Sequence, residues 1–509
     1  MKRDMVIGID CSTTAVKAVV WDLSGNALAE GRATYSLASP QDGWGEQDPI
    51  DWWHATLKAM RDACQKIDAS RVAALSIAHQ RETFACLGAD GEPVRPAILW
   101  LDTRAKAEIA SFGNESVHER TGKPPNTATS WYKLLWLKKH EPDSLAKTRW
   151  VVDVQAYLVQ RMTGQWRTSY GSVDPMGLLN LKTFTLDHEL LALAGLEAGQ
   201  IPEIHAPGER LGGLSKEVAE ATGLLPGLPI IAGTGDGQSA SLGANITAAG
   251  GAFLNLGTGI VSGTFSETYC WSNAFRTMSG AIPGSYSPET FIGGGAFNIS
   301  WFVEKFFDVK TQSGSGDKTP EEILESAASH VVEGSEGLLH LPYLSGALAP
   351  YWDPNARGLY IGLSPKHGRA HFYRALLEGL AMEQRLATIG AEQALGAPID
   401  SMRIMGGGSR SPLWSQILAD VLKRPIELSR EAETTCLGAG MMAAAGVGLH
   451  KDMRTAAAAM SGVAKIYKPN DSVSRTYDSF YAVYCDLYPK LKETFIKLQV
   501  AQNSRLAQS

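Results

Sequence analysis

The sequence predicts an α/β protein of two domains folded about a cleft. The chain has 509 residues, enough for two domains or more, each able to bury its own core. Two strand–turn–strand segments, Met5 to Asp22 and Gly250 to Gly263, lie about half a chain apart, as an internal duplication would place them. Between them, the apolar run Leu228 to Ala232 enters Gly-Thr-Gly-Asp-Gly237, and small residues from Gln238 to Ala244 begin a helix. Asp236 stands at that strand-to-helix turn with glycine on both sides, as a general base in a cleft would. A helix-capping Asp gives the same pattern.

Composition narrows the class of function. Charged residues make up 20% and the net charge is −6, which leaves no basic footprint for nucleic acid or an anionic membrane. The N-terminus is charged within a few residues, unlike a signal peptide, and the softest run, Gly438 to Leu449, is short and broken by glycine. Six cysteines are scattered without a C-x-x-C pair, as reduced thiols in a cytoplasmic protein would be.

In chain order, Met5 to Ile9 reads as a buried strand, Asp10 to Thr14 as a polar turn and Val16 to Asp22 as a returning strand. Hydroxyls and backbone N–H groups in such a turn can face a phosphate while Asp10 holds a cation; a plain hairpin is the alternative. Asp51 to Met60 is an amphipathic helix with Asp51 as a possible cap. The strand Val72 to Ile77 leads to Arg81 and Glu82, a forked donor beside a two-oxygen acceptor, which vicinal hydroxyls need; an Arg-Glu pair on a solvated surface is the alternative. Pro96 to Arg104 reads as a strand delivering Trp100, Asp102 and Arg104 together, and Ser130 to Lys139 as a helix. Trp100 is either a sugar platform or a core residue.

The second half repeats the first hairpin's plan around Gly257, Thr258 and Gly259. Phe291 to Trp301 is a glycine turn opening a helix, Gln312 to Lys318 a flexible surface loop, and Thr319 to Glu322 a capping box. Met402 to Pro412 is strand, glycine loop and helix start, where Gly406, Gly407 and Gly408 would let a flat ring lie against backbone. The tail from Tyr477 to Leu498 keeps helical spacing, interrupted by Pro489. No Gly-Lys-Ser/Thr occurs, so the phosphate cradle is not a Walker A loop.

These motifs together resemble the FGGY family of carbohydrate kinases, a branch of the actin, hexokinase and Hsp70 ATPase fold. The resemblance runs from about residue 5 to 445. Gly358-Leu-Tyr-Ile-Gly-Leu363, followed after seven residues by His371-Phe-Tyr-Arg-Ala-Leu-Leu-Glu378, is similar to the family's second signature. Gly8 to Thr14 and Leu256 to Gly259 are similar to its two phosphate motifs, Gly406 to Ser409 to its adenosine motif, and Gly235-Asp236 to its catalytic turn. The fold implied is a two-domain actin-like ATPase with duplicated ribonuclease H-like domains, at 1–247 and 248–509, facing a cleft with a hinge near 240–250.

The resemblance also implies ATP and Mg²⁺. Thr13, Thr14, Gly257 and Thr258 would hold the phosphates, and Gly407, Gly408 and Ser411 the adenosine. Asp10 and Asp236 would stand at the metal, Asp236 would be the base, and Arg81, Glu82 and Trp100 would join it in holding a small-molecule sugar or polyol. His79 to Thr83 and Ala349 to Gly358 are similar to glycerol kinases; Gly45 to Pro49 and Lys133 to Pro142 are similar to xylulokinases. Ala128 replaces a substrate-contacting Tyr of glycerol kinases, and Arg81-Glu82-Thr83 replaces the Met-His-Gly of xylulokinases. A ketopentose is the expected acceptor, with glycerol or a short polyol as the alternative. An actin- or Hsp70-like ATPase would not need Arg81-Glu82, and a non-catalytic sensor would lack Asp10 or Asp236. A homodimer is the candidate assembly, and no nucleic-acid or membrane partner is expected.

Overall fold

The computed structural model describes residues 3–306 and 319–506, so the loop expected at Gln312 to Lys318 lies outside the described residues. Two large sheets form the frame. The first is built from β1 (Met5–Cys11), β2 (Ala15–Asp22), β3 (Ala27–Thr34), β4 (Val72–His79), β5 (Arg210–Gly213) and β6 (Pro229–Ile231), in the order β5-β6-β4-β1-β2-β3. The second is built from β7 (Gly251–Leu256), β8 (Ile260–Thr264), β9 (Arg276–Ser279), β10 (Tyr286–Ile292), β11 (Ser401–Met405), β12 (Ile426–Ser429) and β13 (Val463–Tyr467), in the order β9-β10-β8-β7-β11-β12-β13.

The sheets share one plan. β1 runs antiparallel to β2 and parallel to β4, and β7 runs antiparallel to β8 and parallel to β11. Each leading strand is an apolar run because layers of structure cover both its faces. Ile7, Ile9, Leu254 and Leu256 are fully buried. The outer strands differ: β5 precedes β6 in the chain, whereas β13 follows β12. The duplication is therefore visible in strand direction and order, though the two halves close their sheets differently.

Helices cover these sheets. α1 (Pro49–Cys64) buries Trp52, Ala59 and Met60 in the core under β1 and β2. α2 (Ser130–His140) builds a smaller core, and α3 (Asp236–Gly243) follows the glycine-rich turn at 233–235. The second half adds α4 (Ala296–Phe306), α5 (Arg369–Leu395), α6 (Pro412–Leu422), α7 (Thr434–Gly446) and α8 (Asp471–Leu506). α7 packs on the first sheet and against α3. Glycine makes this approach possible, since a Cβ on Gly438 would lie 1.9 Å from the Ser239 carbonyl oxygen, and one on Gly8 would lie 1.8 Å from that of Cys436.

Four local expectations are corrected. Asp48 rather than Asp51 caps α1, accepting from the Ile50 N–H at 3.0 Å, because the helix begins at Pro49. The strand expected over Pro96 to Arg104 is only Ala97–Ile98. β1 continues through Asp10 and Cys11, so the first turn begins at Ser12. Pro489 does not interrupt the tail: α8 continues through it, anchored by the buried Tyr477, Tyr484, Tyr488 and Phe495. Tertiary packing there outweighs the lost backbone hydrogen bond. The capping box at Thr319 and Glu322 forms with both reciprocal bonds. No helix among the described residues is long and apolar enough to cross a membrane.

Candidate active site

The first turn is held from behind. Tyr35 donates its hydroxyl hydrogen to the Ser12 carbonyl, and Gln47 Nε2 donates to the Thr13 carbonyl at 2.6 Å. Gln47 is itself fixed by the Trp52 indole, which donates to its Oε1 at 2.9 Å. Thr13 and Thr14 are left at the open side of the turn, half-buried and exposed respectively. Trp100 donates its indole N–H to Thr13 Oγ1 at 2.9 Å, and its backbone N–H reaches Thr83 Oγ1 at 3.1 Å. Trp100 thus bridges the first turn, through its indole, and the Arg81–Thr83 segment, through its backbone. Asp102 and Arg104 do not accompany it: they pair with each other at 2.7 Å, and Arg104 stacks 3.6 Å over Trp44.

Asp10 lies in β1 opposite Lys17 in β2. Burial, then the nearby charges of Asp236 and Glu433, push its carboxyl up to about 8, partly offset by Lys17. Its Oδ1 is buried without a hydrogen-bond partner among the described residues. A carboxylate left unsatisfied beside two others suits a hard divalent cation. Among the described residues, no group of three or more His, Cys, Asp or Glu side chains could cage a metal. Asp10 could therefore supply one oxygen ligand to such an ion. Lys17, ion-paired to Glu433 at the start of α7, escaped the sequence reading. Its place across the hairpin from Asp10 was available as a signal.

Asp236 is the first residue of α3, with a side chain 45% exposed. It is not a solitary carboxylate, because it forms an ion pair with Arg81, whose Nε lies 2.8 Å from its Oδ1. The flanking glycines have a different role from the one expected. A Cβ on Gly235 would lie 2.2 Å from Arg81 Cγ, and one on Gly237 would lie 2.6 Å from Arg81 Nη2. They make room for Arg81. Asp236 does not cap α3 by reaching forward along the helix; its Oδ1 accepts only the next N–H, that of Gly237, at 2.7 Å. Gly233, two residues before this turn's Gly235, is clamped by Gln155 on its N–H at 2.7 Å and by Ser169 on its carbonyl at 2.6 Å.

Arg81 and Glu82 are both buried, and both reach residues of the second half. Arg81 Nη1 forks onto Glu289 at 2.9 and 2.7 Å, while Arg276 Nη1 donates to Glu82 at 2.8 Å. Burial alone would lower the Arg81 pKa, but Glu289, Asp236 and Glu82 outweigh it and raise it. Glu82 has φ 53°, an uncommon left-handed backbone that turns its side chain toward Arg276. Sequence reasoning missed Arg276 and Glu289, since neither sits in a glycine-rich motif. Lys133 was also missed: its buried ammonium donates to the carbonyls of Leu99, Trp100 and Ala128 at 2.6, 3.2 and 2.7 Å. Burial pulls its pKa down to about 7. Lys133 therefore ties Trp100 and Ala128 into one wall.

The second turn carries no charge. The carbonyls of Gly257 and Thr258 accept from Ala296 and Gly295 at 2.8 and 2.9 Å, leaving the Thr258 side chain exposed. In the third glycine loop, Gly406 has φ +82°, and a Cβ there would lie 2.4 Å from Asn255 Oδ1. Gly408 serves packing, since its Cβ would strike Trp414 at 2.5 Å, whereas Gly407 faces open space. The Ser411 hydroxyl oxygen accepts from Trp414 N–H at 3.0 Å and caps α6.

The family models for the N-terminal and C-terminal domains of the FGGY family of carbohydrate kinases match residues 5–243 and 252–447. The chain belongs to the FGGY family of carbohydrate kinases. It is 26% identical to a xylulose kinase of Staphylococcus epidermidis over 508 residues, covering 99% of this chain and 100% of that protein. It is 30% identical to a glycerol kinase of Thermococcus onnurineus over 453 residues, covering 86% and 88%. Its structure matches that of a gluconate kinase from Lactobacillus acidophilus with a TM-score of 0.90 at 28% identity, covering 97% and 99%. The fold is thus the two-domain, actin-like fold of these kinases, and the enzyme is a phosphotransferase acting on an alcohol group of a small sugar, with ATP as phosphate donor.

Proposed function

We propose that this enzyme phosphorylates an uncharged ketopentose, xylulose first, at a hydroxyl presented to Asp236. The observation that carries this reading is the Trp100 bridge: one residue contacts Thr13 in the first phosphate-type turn through its indole and Thr83, next to the Arg81–Glu82 pair, through its backbone N–H. Acceptor and phosphate groups can therefore meet at a single place. Ala128, joined to Trp100 through Lys133, leaves that wall open to a chain longer than glycerol. In this reading residues 1–247 carry the acceptor site and 248–509 the adenosine site.

Asp236 accepts the hydroxyl proton as the oxygen attacks the γ-phosphorus in line, and Arg81 keeps the carboxylate in place by its Nε contact. Thr13, Thr14, Gly257 and Thr258 line the phosphate path from two sides, and Gly407 and Ser411 edge the adenosine site, with Gly408 keeping the loop close-packed. ATP supplies the phosphoryl group, and Mg²⁺, which Asp10 would hold directly or through water with Asp236 nearby, would offset the charge that develops on it. Positioning and charge placement are what the protein must supply to such a reaction. A coupled ADP-release screen over ketopentoses, tetritols, glycerol, hexuloses and gluconate tests the reading. A pentulose should give the highest kcat/KM, and a screen led by glycerol would overturn it.

A further inference from the structure

β9 and β10 belong to the second sheet, yet they dock against the first half of the chain. Thr277 N–H donates to the Gly122 carbonyl at 2.8 Å, and Lys123 Nζ donates to the Thr277 carbonyl at 2.9 Å. Asp174 accepts from the Ser279 N–H at 2.7 Å, and the Tyr286 hydroxyl donates to the Leu181 carbonyl at 3.1 Å. Arg276 and Glu289 face each other across these two strands, and Nη2 of Arg276 lies 3.2 Å from Glu289 Oε2. Gly263, beside Glu289 on the next strand, makes room chiefly for Phe253, whose ring a Cβ there would meet at 2.4 Å, and that Cβ would also lie 3.2 Å from Glu289 Cγ.

The result is an alternating row, Asp236–Arg81–Glu289–Arg276–Glu82, in which every neighbouring pair is an ion pair and all but Asp236–Arg81 are hydrogen-bonded as well. Arg81, Glu289, Arg276 and Glu82 are all buried, and only Asp236 is substantially exposed. Three carboxylates against two guanidiniums leave the row one negative charge in excess. Arg276 has its Nη1 on Glu82 and its Nε and Nη2 on Glu289, so both faces of its fork are taken.

We propose that Glu289, through Arg276 and Arg81, is a specificity-determining residue that makes the acceptor site select uncharged polyols and sugars and reject sugar acids. The inference rests on the acceptor site proposed above. An aldonate carboxylate entering beside Arg81 meets a guanidinium already neutralised by two carboxylates, and it must displace Glu289 from a buried ion pair to bind. Hydroxyl groups carry no charge and can donate to Glu82 and Asp236 while accepting from the remaining N–H groups of Arg81. Glu289 is a positioning residue: it acts by holding Arg81 and Arg276.

The test compares the full-length enzyme with Glu289→Gln, Glu289→Asp and Arg276→Gln. For each, the KM of the best neutral sugar, the KM of ATP and the Ki of gluconate as a competitor of that sugar are measured. Glu289→Gln frees guanidinium charge, so gluconate should gain about tenfold or more relative to the neutral sugar. Glu289→Asp keeps the charge and should keep the wild-type ratio. Arg276→Gln removes a positive charge, so gluconate should gain nothing. The ATP KM should stay within about twofold throughout, since these groups face the acceptor. General damage would weaken both acceptor ligands alike and leave the ratio unmoved. An unchanged ratio in Glu289→Gln, with sugar-dependent ADP release intact, overturns this inference alone. A wild-type enzyme that turned over gluconate and no neutral sugar would overturn both this inference and the proposed acceptor.

Discussion

The two hairpins are one backbone design used twice, and they differ where chemistry is needed. Register makes the comparison exact residue by residue: Asp10 pairs with Lys17 across the first hairpin, and Asn255 pairs with Val261 at the same step of the second. Asp10 lies beside Ala78 of β4, and Asn255 beside Met405 of β11. The first hairpin thus carries a half-buried carboxylate and an ammonium, while the second carries an amide and an apolar side chain. The first turn is held through Gln47 and Tyr35, which leaves Thr13 to meet Trp100. The second is held by the start of α4, which leaves Thr258 facing outward. Duplication supplied two backbone cradles, and only one carries charge.

The largest effect should come from the charged half. Asp236→Asn should fold and bind ADP as the wild type does, yet lose about 10²–10⁴ in kcat, the usual worth of a positioned base. Near-normal turnover in stopped assays would remove Asp236 from the reaction. Next in size, Lys133→Met should lower stability by about 1–3 kcal/mol, because three carbonyls lose their buried donor. The same variant should raise the sugar KM through Trp100 and Ala128. A melting curve and a sugar titration check both, and an unchanged KM would detach that wall from the acceptor site.

The threonines sharpen the comparison further. Thr258→Ala should raise only the ATP KM, by a few fold, the worth of about one hydrogen bond. Thr13→Ala should raise the ATP KM similarly and disturb the sugar KM as well, because the Trp100 indole loses its acceptor. Identical kinetic profiles for the two variants would erase the distinction between the turns.

Much of this was legible in the sequence because it depends on short-range pattern. Strand–glycine–strand segments, the glycine turn before the helix at Asp236 and the capping box at Thr319 carry their signals within a few residues. What the sequence hid was of longer range. Arg276 and Glu289 meet Arg81 and Glu82 across about two hundred positions, and no local periodicity announces such a pairing. The glycines at 235 and 237 were readable as glycines, but their reason, the body of Arg81, was not. Trp100, Asp102 and Arg104 looked alike in a short strand pattern, and a turn after Ile98 sends them to different partners.

Asp10 offers the most direct test of the division between the hairpins. Its carboxyl is held up to about 8 in the metal-free folded chain, against an ordinary value of 3.8. The folded state therefore binds the extra proton between about pH 4 and 8, and the stability that proton lends is lost as pH rises through that window. A cation binds the carboxylate form only, so binding must expel the proton and should strengthen with pH up to about 8. Calorimetric titration with Mg–ADP at pH 7, repeated in buffers of different ionisation enthalpy, measures that proton. The expected result is proton release by the wild type and by Asn255→Ala, and its disappearance in Asp10→Asn. Equal release from the wild type and Asp10→Asn would contradict the placement of the charge chemistry on the first hairpin.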